Sequence, residues 1–343
     1  MKQLTIIIFL LFFKIHVFGQ EITEINLNYQ NYDNLGKEYM NNIKKSNFFE
    51  YKLLDKNTNK DSVLSLVVNK YFLGKHKNLN DICDCKKLVV LSLYNLNGDE
   101  LPDCVFQLKN LKEINLYHFN AEYHEWKELF REMSNLKLLK TFTIYQSPMN
   151  YMPETIGLLS SIERIELDNV PLIDFNDEFA KLDNLKYLRV NNTQVYFMPQ
   201  DYFNDNLIYL DISSNKFNGM PLEINNLPNL EHISFYNNIY YSSDDTILCK
   251  NKKLKEIYIG DCGIEKFPIG LNKLENLEQL IVAGNRMLDV PDEIVEFKNL
   301  KYLYWGSFVT DKKKLNAIRI KMPNCIISEF YDKPIRPIID IFE

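Results

Sequence analysis

The feature that most limits what this 343-residue chain can fold into is a spacing, apolar-x-x-apolar-x-apolar, that returns at nearly constant intervals. It starts as Leu88/Leu91/Leu93 and continues through Leu111/Ile114/Leu116, Leu139/Phe142/Ile144, Ile162/Ile165/Leu167, Leu185/Leu188/Val190 and Leu207/Leu210/Ile212. Leu230/Ile233/Phe235, Leu254/Ile257/Ile259, Leu277/Leu280/Val282 and Leu300/Leu303/Trp305 complete the series. The starts lie 23, 28, 23, 23, 22, 23, 24, 23 and 23 residues apart, and Val63/Leu66/Val68 fits one unit earlier. Self-similarity at such a period marks a solenoid, in which each unit can bury its apolar side only against its neighbours.

The second half of the unit repeats in register with the first. Thirteen residues after the start an apolar residue precedes proline: Leu101-Pro102, Met152-Pro153, Met198-Pro199, Met220-Pro221, Phe267-Pro268 and Val290-Pro291. Three residues beyond each proline stands Val105, Ile156, Tyr202, Ile224, Leu271 or Ile294, and most units end Leu-x-Asn. The three spaced apolar residues read as a short strand facing inward, after which proline fixes φ as the chain enters a compact outer segment. Over about residues 63–330 this pattern resembles the leucine-rich-repeat family, in the class of about 23 residues with a Leu-Pro-x-x-Ile segment.

The resemblance implies an α/β solenoid, a curved horseshoe with a parallel β-sheet on its concave face and short helical or irregular convex segments. It also places asparagine eight residues after the start, bonding backbone groups at the turn. Asn215, Asn238 and Asn285 obey, with Cys262 as the cysteine variant, whereas Leu96, Phe119, Ser147, Val170 and Thr193 depart from the pattern. The N-terminal half is therefore expected to have less uniform turns.

The ends and the long unit read differently. Residues 1–20 have a basic start, an apolar run from Leu4 to Phe13 and the small residue Gly19, which describes a secretory signal. The alternative is an uncleaved anchor, although the run is shorter than the roughly 20 apolar residues of a membrane span. Residues 21–62 read as an N-terminal cap: a short helix bearing Leu35, Tyr39, Met40 and Ile43, then a strand Phe49/Tyr51/Leu53 forming a hairpin with Val63 to Val68. Cys325 to Phe330 reads as a last strand, and 331–343 as a tail. Within the 28-residue unit, Tyr123, Trp126, Leu129, Phe130 and Met133 fall at helical spacing, predicting one convex helix over Ala121 to Met133 with that face buried.

Chemistry is sparse. His124-Glu125-Trp126-Lys127-Glu128 begins like a zinc-protease helix but has Glu128 where the second histidine belongs. The histidines His76, His118 and His232 fall in separate units, so no catalytic residues, metal ligands or cofactor site are expected. Of six cysteines only Cys83 or Cys85 with Cys104 sits on neighbouring convex segments, and unpaired buried cysteines are the favoured expectation. Removing residues 1–20 takes away Lys2 and Lys14 and no acid, moving the net charge from −6 to −8, which argues against nucleic acid as a partner.

In this family the residues between the inward ones, at the second, fourth, sixth and seventh positions after the start, face out of the concave sheet. They give Tyr94, Tyr117 and Tyr145 in one column and Tyr187 and Tyr209 in another, with Tyr236, Tyr258, Tyr302 and Tyr304 toward the C-terminus. A charged strip of Arg164, Glu166, Asp168, Arg189 and Asp211 lies between the two groups. Tyrosine offers large contact area at low entropy cost and is favoured at binding surfaces, though it also simply suits a half-exposed strand. The sequence thus predicts an exported, non-enzymatic module, periplasmic, cell-surface or secreted. It would hold a protein or peptide on these residues; a carbohydrate ligand and a structural or adhesin role are the alternatives.

Overall fold

The computed structural model describes residues 48–50, 59–72, 79–198, 205–240, 248, 250–306 and 311–328. Two compact units divide the chain, Phe49–Pro334 and the termini Met1–Phe48 with Ile335–Glu343. The expected signal, cap helix and tail lie outside the described residues, as do Tyr51 and Leu53 of the cap strand.

Among the described residues, one sheet holds every strand in chain order. Its members are β1 (Phe48–Glu50), β2 (Ser65–Asn69), β3 (Val90–Tyr94), β4 (Glu113–Tyr117), β5 (Thr141–Tyr145), β6 (Arg164–Asp168) and β7 (Tyr187–Asn191). The shorter β8 (Tyr209–Asp211), β9 (His232–Ser234), β10 (Glu256–Tyr258), β11 (Gln279–Ile281), β12 (Tyr302–Tyr304) and β13 (Ile326–Ser328) follow. From β2 to β13 all pairings are parallel, and the middle apolar residue of each unit is the register partner of the next, Leu188 facing Leu210, Leu210 facing Ile233, and so on to Ile327. Each inward residue of the triplets from Leu88 to Trp305 is at most 5% exposed. Burial of one such side chain contributes roughly 1.5–3 kcal/mol, so the stack is held by many similar increments.

The outer half of the unit follows the proline. Pro102, Pro153, Pro221, Pro268 and Pro291, with φ between −60° and −74°, each precede a 3-10 turn: Asp103–Gln107, Glu154–Leu158, Leu222–Asn226, Ile269–Lys273 and Asp292–Glu296. Val105, Ile156, Ile224, Leu271 and Ile294 point from these turns into the core. A strand contributes only the inter-strand spacing of about 4.7–4.9 Å per unit, so the bulkier outer turns make the sheet the concave side.

Two asparagine ladders lock successive units. In the turn after the strand, the Nδ2 of Asn238 donates to the Ile212 and Phe235 carbonyls (2.9 and 3.1 Å), while its Oδ1 accepts from the Asn215 and Phe217 amides. Asn215 and Asn285 repeat the arrangement, and Cys262 donates its thiol to the Phe235 and Gly260 carbonyls. The Asn that ends the unit, in Leu-x-Asn or Phe297-Lys298-Asn299, forms a second ladder: Asn110, Asn184, Asn229, Asn276 and Asn299 each donate to a carbonyl of the preceding unit.

Four expectations are corrected. The N-terminal half does not have the less uniform turns: Asn95, His118, Gln146, Asn169, Asn192, Ser214, Asn237, Asp261 and Gly284, all at the seventh position, share a left-handed backbone with φ of 48° to 72°. What changes is strand length, because the asparagine ladder and the Asp211 carboxylate, which accepts from the Ser213 amide, draw the backbone out of the sheet earlier. The helix α1 (Tyr123–Met133) buries Trp126, Leu129, Phe130 and Met133, but Tyr123 at its start is exposed and donates its hydroxyl to Glu154 at 3.0 Å. A second helix, α2 (Lys312–Lys321), seats Leu315 and Ile318 near the C-terminal end, where sequence reading placed none. Finally, Cys83 and Cys104 form a disulfide with Cα atoms 5.6 Å apart, since the adjacent 3-10 turns bring them within the narrow bridging distance. Cys85, Cys262 and Cys325 are unpaired and buried.

Candidate functional site

Parallel register turns the residues between the inward ones into columns running across the strands, so side chains about 23 residues apart in sequence become neighbours. Tyr94, Tyr117 and Tyr145 are successive partners at the ends of β3, β4 and β5. Tyr94 stacks on Tyr117 with centroids 4.3 Å apart and planes 11° apart, and Tyr145 leans on Tyr117 at 6.1 Å and 52°. Burial pushes the Tyr117 hydroxyl up to about 12.

A longer stack crosses β6 to β9. The Arg164 guanidinium lies 3.8 Å over the Tyr187 ring, Tyr187 stacks on Tyr209 at 4.0 Å and 8°, and Tyr209 stacks on His232 at 4.1 Å and 5°. The Tyr258 ring meets His232 edge to face at 4.8 Å. Stacking consumes the faces of these rings: Tyr187 and Tyr258 are buried, although the sequence placed them among the outward residues. Burial pushes the Tyr187 hydroxyl up to about 12 and, with Asp211 beside it, raises Tyr209 further, so both remain neutral hydrogen-bonding groups at ordinary pH.

The charged strip beside the stack is one network. Arg164 donates through Nε to Glu166 at 2.6 Å, and Arg189 reaches Asp168 at 2.8 Å, Asp211 at 3.4 Å and Glu166 at 3.9 Å. Burial opposes the Arg189 charge, but the three carboxylates outweigh it and hold its pKa above the ordinary value. Asp168 is raised by burial despite Arg189.

His232 is the residue that sequence reading missed. Treated as one of several scattered histidines, it occupies the second position of its unit, the column of Tyr187 and Tyr209, which counting from Leu230 reveals. A directed chain orients it: Gln279 donates to the Tyr258 hydroxyl at 2.7 Å, Tyr258 donates to Glu256 Oε2 at 3.0 Å, and His232 Nδ1 meets the same oxygen at 2.9 Å. Burial would raise the Glu256 carboxyl, but the hydrogen bonds from His232 and Tyr258 hold it below the usual carboxylate range.

Apart from Tyr258, the C-terminal tyrosines stand outside both stacks. Tyr236, 41% exposed, donates its hydroxyl to Asp261, and its ring lies where a Cβ on Gly260 would come within about 3 Å. Tyr302 and Tyr304 are half-exposed on β12, in register with Gln279 and Ile281. From Glu113 to Asp261 the sheet-face columns carry the carboxylates of Glu113, Glu166, Asp168, Asp211, Glu256 and Asp261 against the cations Arg164 and Arg189, an acidic balance.

No family model matches the chain. Among solved structures it is similar to the internalin inlF of Listeria monocytogenes, with a TM-score of 0.53 and 14% identity over 70% of this chain and 72% of that one. It is also similar to TLR13 in the TLR13-ssRNA13 complex, with a TM-score of 0.59 and 20% identity over 78% of this chain and 40% of that one. The chain is a leucine-rich-repeat solenoid. A chain of the complex of latrophilin 3, Unc5D and FLRT2 (LRR) shares the leucine-rich-repeat fold at a TM-score of 0.55, with 16% identity over 71% of this chain and 83% of that one.

Curated relatives match part of the chain. The chain is 24% identical to an adenylate cyclase of Schizosaccharomyces pombe over 78% of its length, and 28% identical to the volume-regulated anion channel subunit LRRC8B of Homo sapiens over 65%. It spans 16% and 25% of those two proteins. Among the described residues, no helix is long and apolar enough to cross a membrane.

Proposed function

We propose that this protein is a binding module that recognises a protein or peptide with the concave sheet face, through Tyr94, Tyr117, Tyr145, Arg164, Glu166, Arg189, Tyr209, Tyr236, Tyr302 and Tyr304, with the buried Tyr187, Asp211 and Tyr258 bracing them from beneath, and performs no catalysis. The observation that carries the reading is the pair of ring stacks, Tyr94–Tyr117 and Arg164–Tyr187–Tyr209–His232. Rings packed face to face along the sheet are pre-ordered, and they offer edges and phenolic oxygens to a partner at low entropy cost. The same stacking weighs against carbohydrate, whose rings need open aromatic faces. The acidic balance of the face weighs against nucleic acid. Solved relatives of the same fold include one in a complex with Unc5D and latrophilin 3, which is in keeping with a protein ligand.

Export from the cytoplasm belongs to the same proposal. A disulfide between Cys83 and Cys104 persists in oxidising compartments, which agrees with the signal-like residues 1–20.

The test is to replace Tyr94, Tyr117 and Tyr145 together by Ser and to probe wild type and variant against arrays of extracellular proteins and of glycans. The reading expects the wild type to bind on the protein array and stay silent on glycans, with the variant folded and its binding lost. A folded variant that keeps its full binding clears the three tyrosines, and a glycan signal from the wild type overturns the choice of ligand class.

A further inference from the structure

One rim of the solenoid is built from the residues that flank the first inward position of each unit, just before the strands begin. Backbone bonds fix its order. The amides of Val89, Lys112, Lys140 and Glu163 donate in turn to the carbonyls of Leu64, Val89, Lys112 and Lys140, so these residues are neighbouring rungs. The Asn110 side chain reaches the Lys86 carbonyl at 2.8 Å and ties the row before the inward position in the same way.

Three consecutive units make this rim basic. Lys86 and Lys87, Lys109 and Lys112, and Lys137 and Lys140 occupy it with no acid among them, on a chain whose net charge is −6. The rim positions of later units mix the signs, with Glu163, Asp183, Glu231, Glu275 and Glu278 set among lysines. Lys140 pairs with Glu163 where the run ends, and Asp81 and Asp84 near its start are taken by Lys60. Lys86, Lys87, Lys109, Lys112 and Lys137 are exposed, and none of them pairs with a carboxylate among the described residues. Like charges stacked at the inter-strand spacing of about 4.7–4.9 Å repel one another and contribute nothing to the fold.

A second feature of the same rim is apolar. Leu138 is 45% exposed and Leu64 41% exposed, with the half-buried Val89 between Leu64 and Lys112. Leu138 stands where Asn110, Asn184, Asn229, Asn276 and Asn299 hold a carbonyl of the preceding unit. In the next unit Ser161 keeps such a bond, donating its hydroxyl to the Leu139 carbonyl at 2.8 Å. Leucine gives up the bond and places an apolar side chain in solvent, a loss on both counts for folding.

We propose that this rim lies on an anionic lipid surface. The lysine stems run over apolar material while their ammonium heads stay among the phosphates, and Leu138 and Leu64 enter the boundary between headgroups and acyl chains. An acidic protein would neutralise the lysines but has no need of exposed leucines between them, whereas a lipid interface takes both. Lysine also suits a fluid array of headgroups, being a compact point charge on a flexible stem without the fixed fork of arginine. The tyrosine columns belong to a different surface, so the proposal stands independently of what the sheet face binds.

The experiment is co-sedimentation of the full chain, expressed with residues 1–20 in place so that the cell's own processing applies. The vesicles are phosphatidylcholine alone, and phosphatidylcholine with about one-third phosphatidylglycerol. Binding is expected on the anionic vesicles and not on the neutral ones, and it weakens as salt is raised. Each lysine near such a surface is worth roughly fivefold in partitioning, so K86Q/K109Q/K112Q/K137Q should lose about a hundredfold or more. L138S, which keeps every lysine, should lose roughly threefold at any salt concentration. Equal binding to both vesicles, or unchanged binding by the folded four-lysine variant, overturns the proposal. Capture by poly-glutamate with no binding to vesicles overturns it in favour of an acidic protein, and an L138S chain that binds like wild type removes the ground for choosing lipid and overturns it as well.

Discussion

The asparagines show how much one side chain can hold in a repeat. Asn238 is buried, and its amide group closes four bonds to backbone groups of its own and neighbouring units. Replacing it by Ala strands buried donors and acceptors, each costing about 1–3 kcal/mol, so a loss of roughly 2–4 kcal/mol is expected in urea unfolding. Asn299→Ala, in the exposed ladder, should cost under about 1 kcal/mol. Equal effects at the two sites would contradict this assignment. A pH effect follows from Glu256, whose pKa is depressed in the folded state. The stabilisation from its ionised form is complete above the unfolded carboxyl value, about 4.3, and is lost as pH falls through the folded value. Glu256→Gln should therefore flatten the acid limb of the urea midpoint measured from pH 3 to 7, and an unchanged limb would remove the His232–Glu256–Tyr258 chain from the account. At this scale the inward residues were legible because burial repeats with the period. The left-handed seventh position was visible too, as the recurrent Asn95, Asn169, Asn192 and Asn237, but it was read as exposed surface rather than as a conformational requirement.

At the scale of elements, the prolines of the 3-10 turns and the helical spacing of α1 led to the observed structure because each element's signal is local. The misplacement of Tyr123 has a physical reason: it sits in the first helical turn, where the chain is still approaching the core, so its ring stays outside and pairs with Glu154. Phe130→Ala should cost roughly 3–5 kcal/mol by cavity formation, whereas Tyr123→Phe, which removes only an exposed hydroxyl, should fall within about 0.5 kcal/mol. Calorimetry on the two variants checks the ordering, and a large loss at Tyr123 would place the helix wrongly. α2 went unread because its apolar residues, Leu315 and Ile318, are few among lysines and carry little periodic signal. The disulfide was one of two pairings allowed by spacing, and only the turn geometry selects Cys83 over Cys85.

For the whole molecule, the solenoid makes stability a sum over neighbours. The central row from Leu66 to Ile327 has no privileged member, so Leu188→Ala and Leu280→Ala should each cost roughly 2–5 kcal/mol and should add when combined, being several units apart. Strong coupling between them in urea unfolding would contradict a nearest-neighbour stack. The position of the candidate face was legible at this scale, since the period assigns the second, fourth, sixth and seventh positions of each unit to columns. Its internal stacking was not, because centroid distances of 4.0–4.3 Å depend on side-chain rotation that sequence does not state. The central functional claim is that partners meet the sheet face. A photo-crosslinking phenylalanine placed at Tyr145 or Tyr236, and separately at the exposed convex Leu222, tests it in native envelopes. The account expects one discrete protein adduct from the two sheet-face positions and none from Leu222; an adduct from Leu222 alone would contradict it.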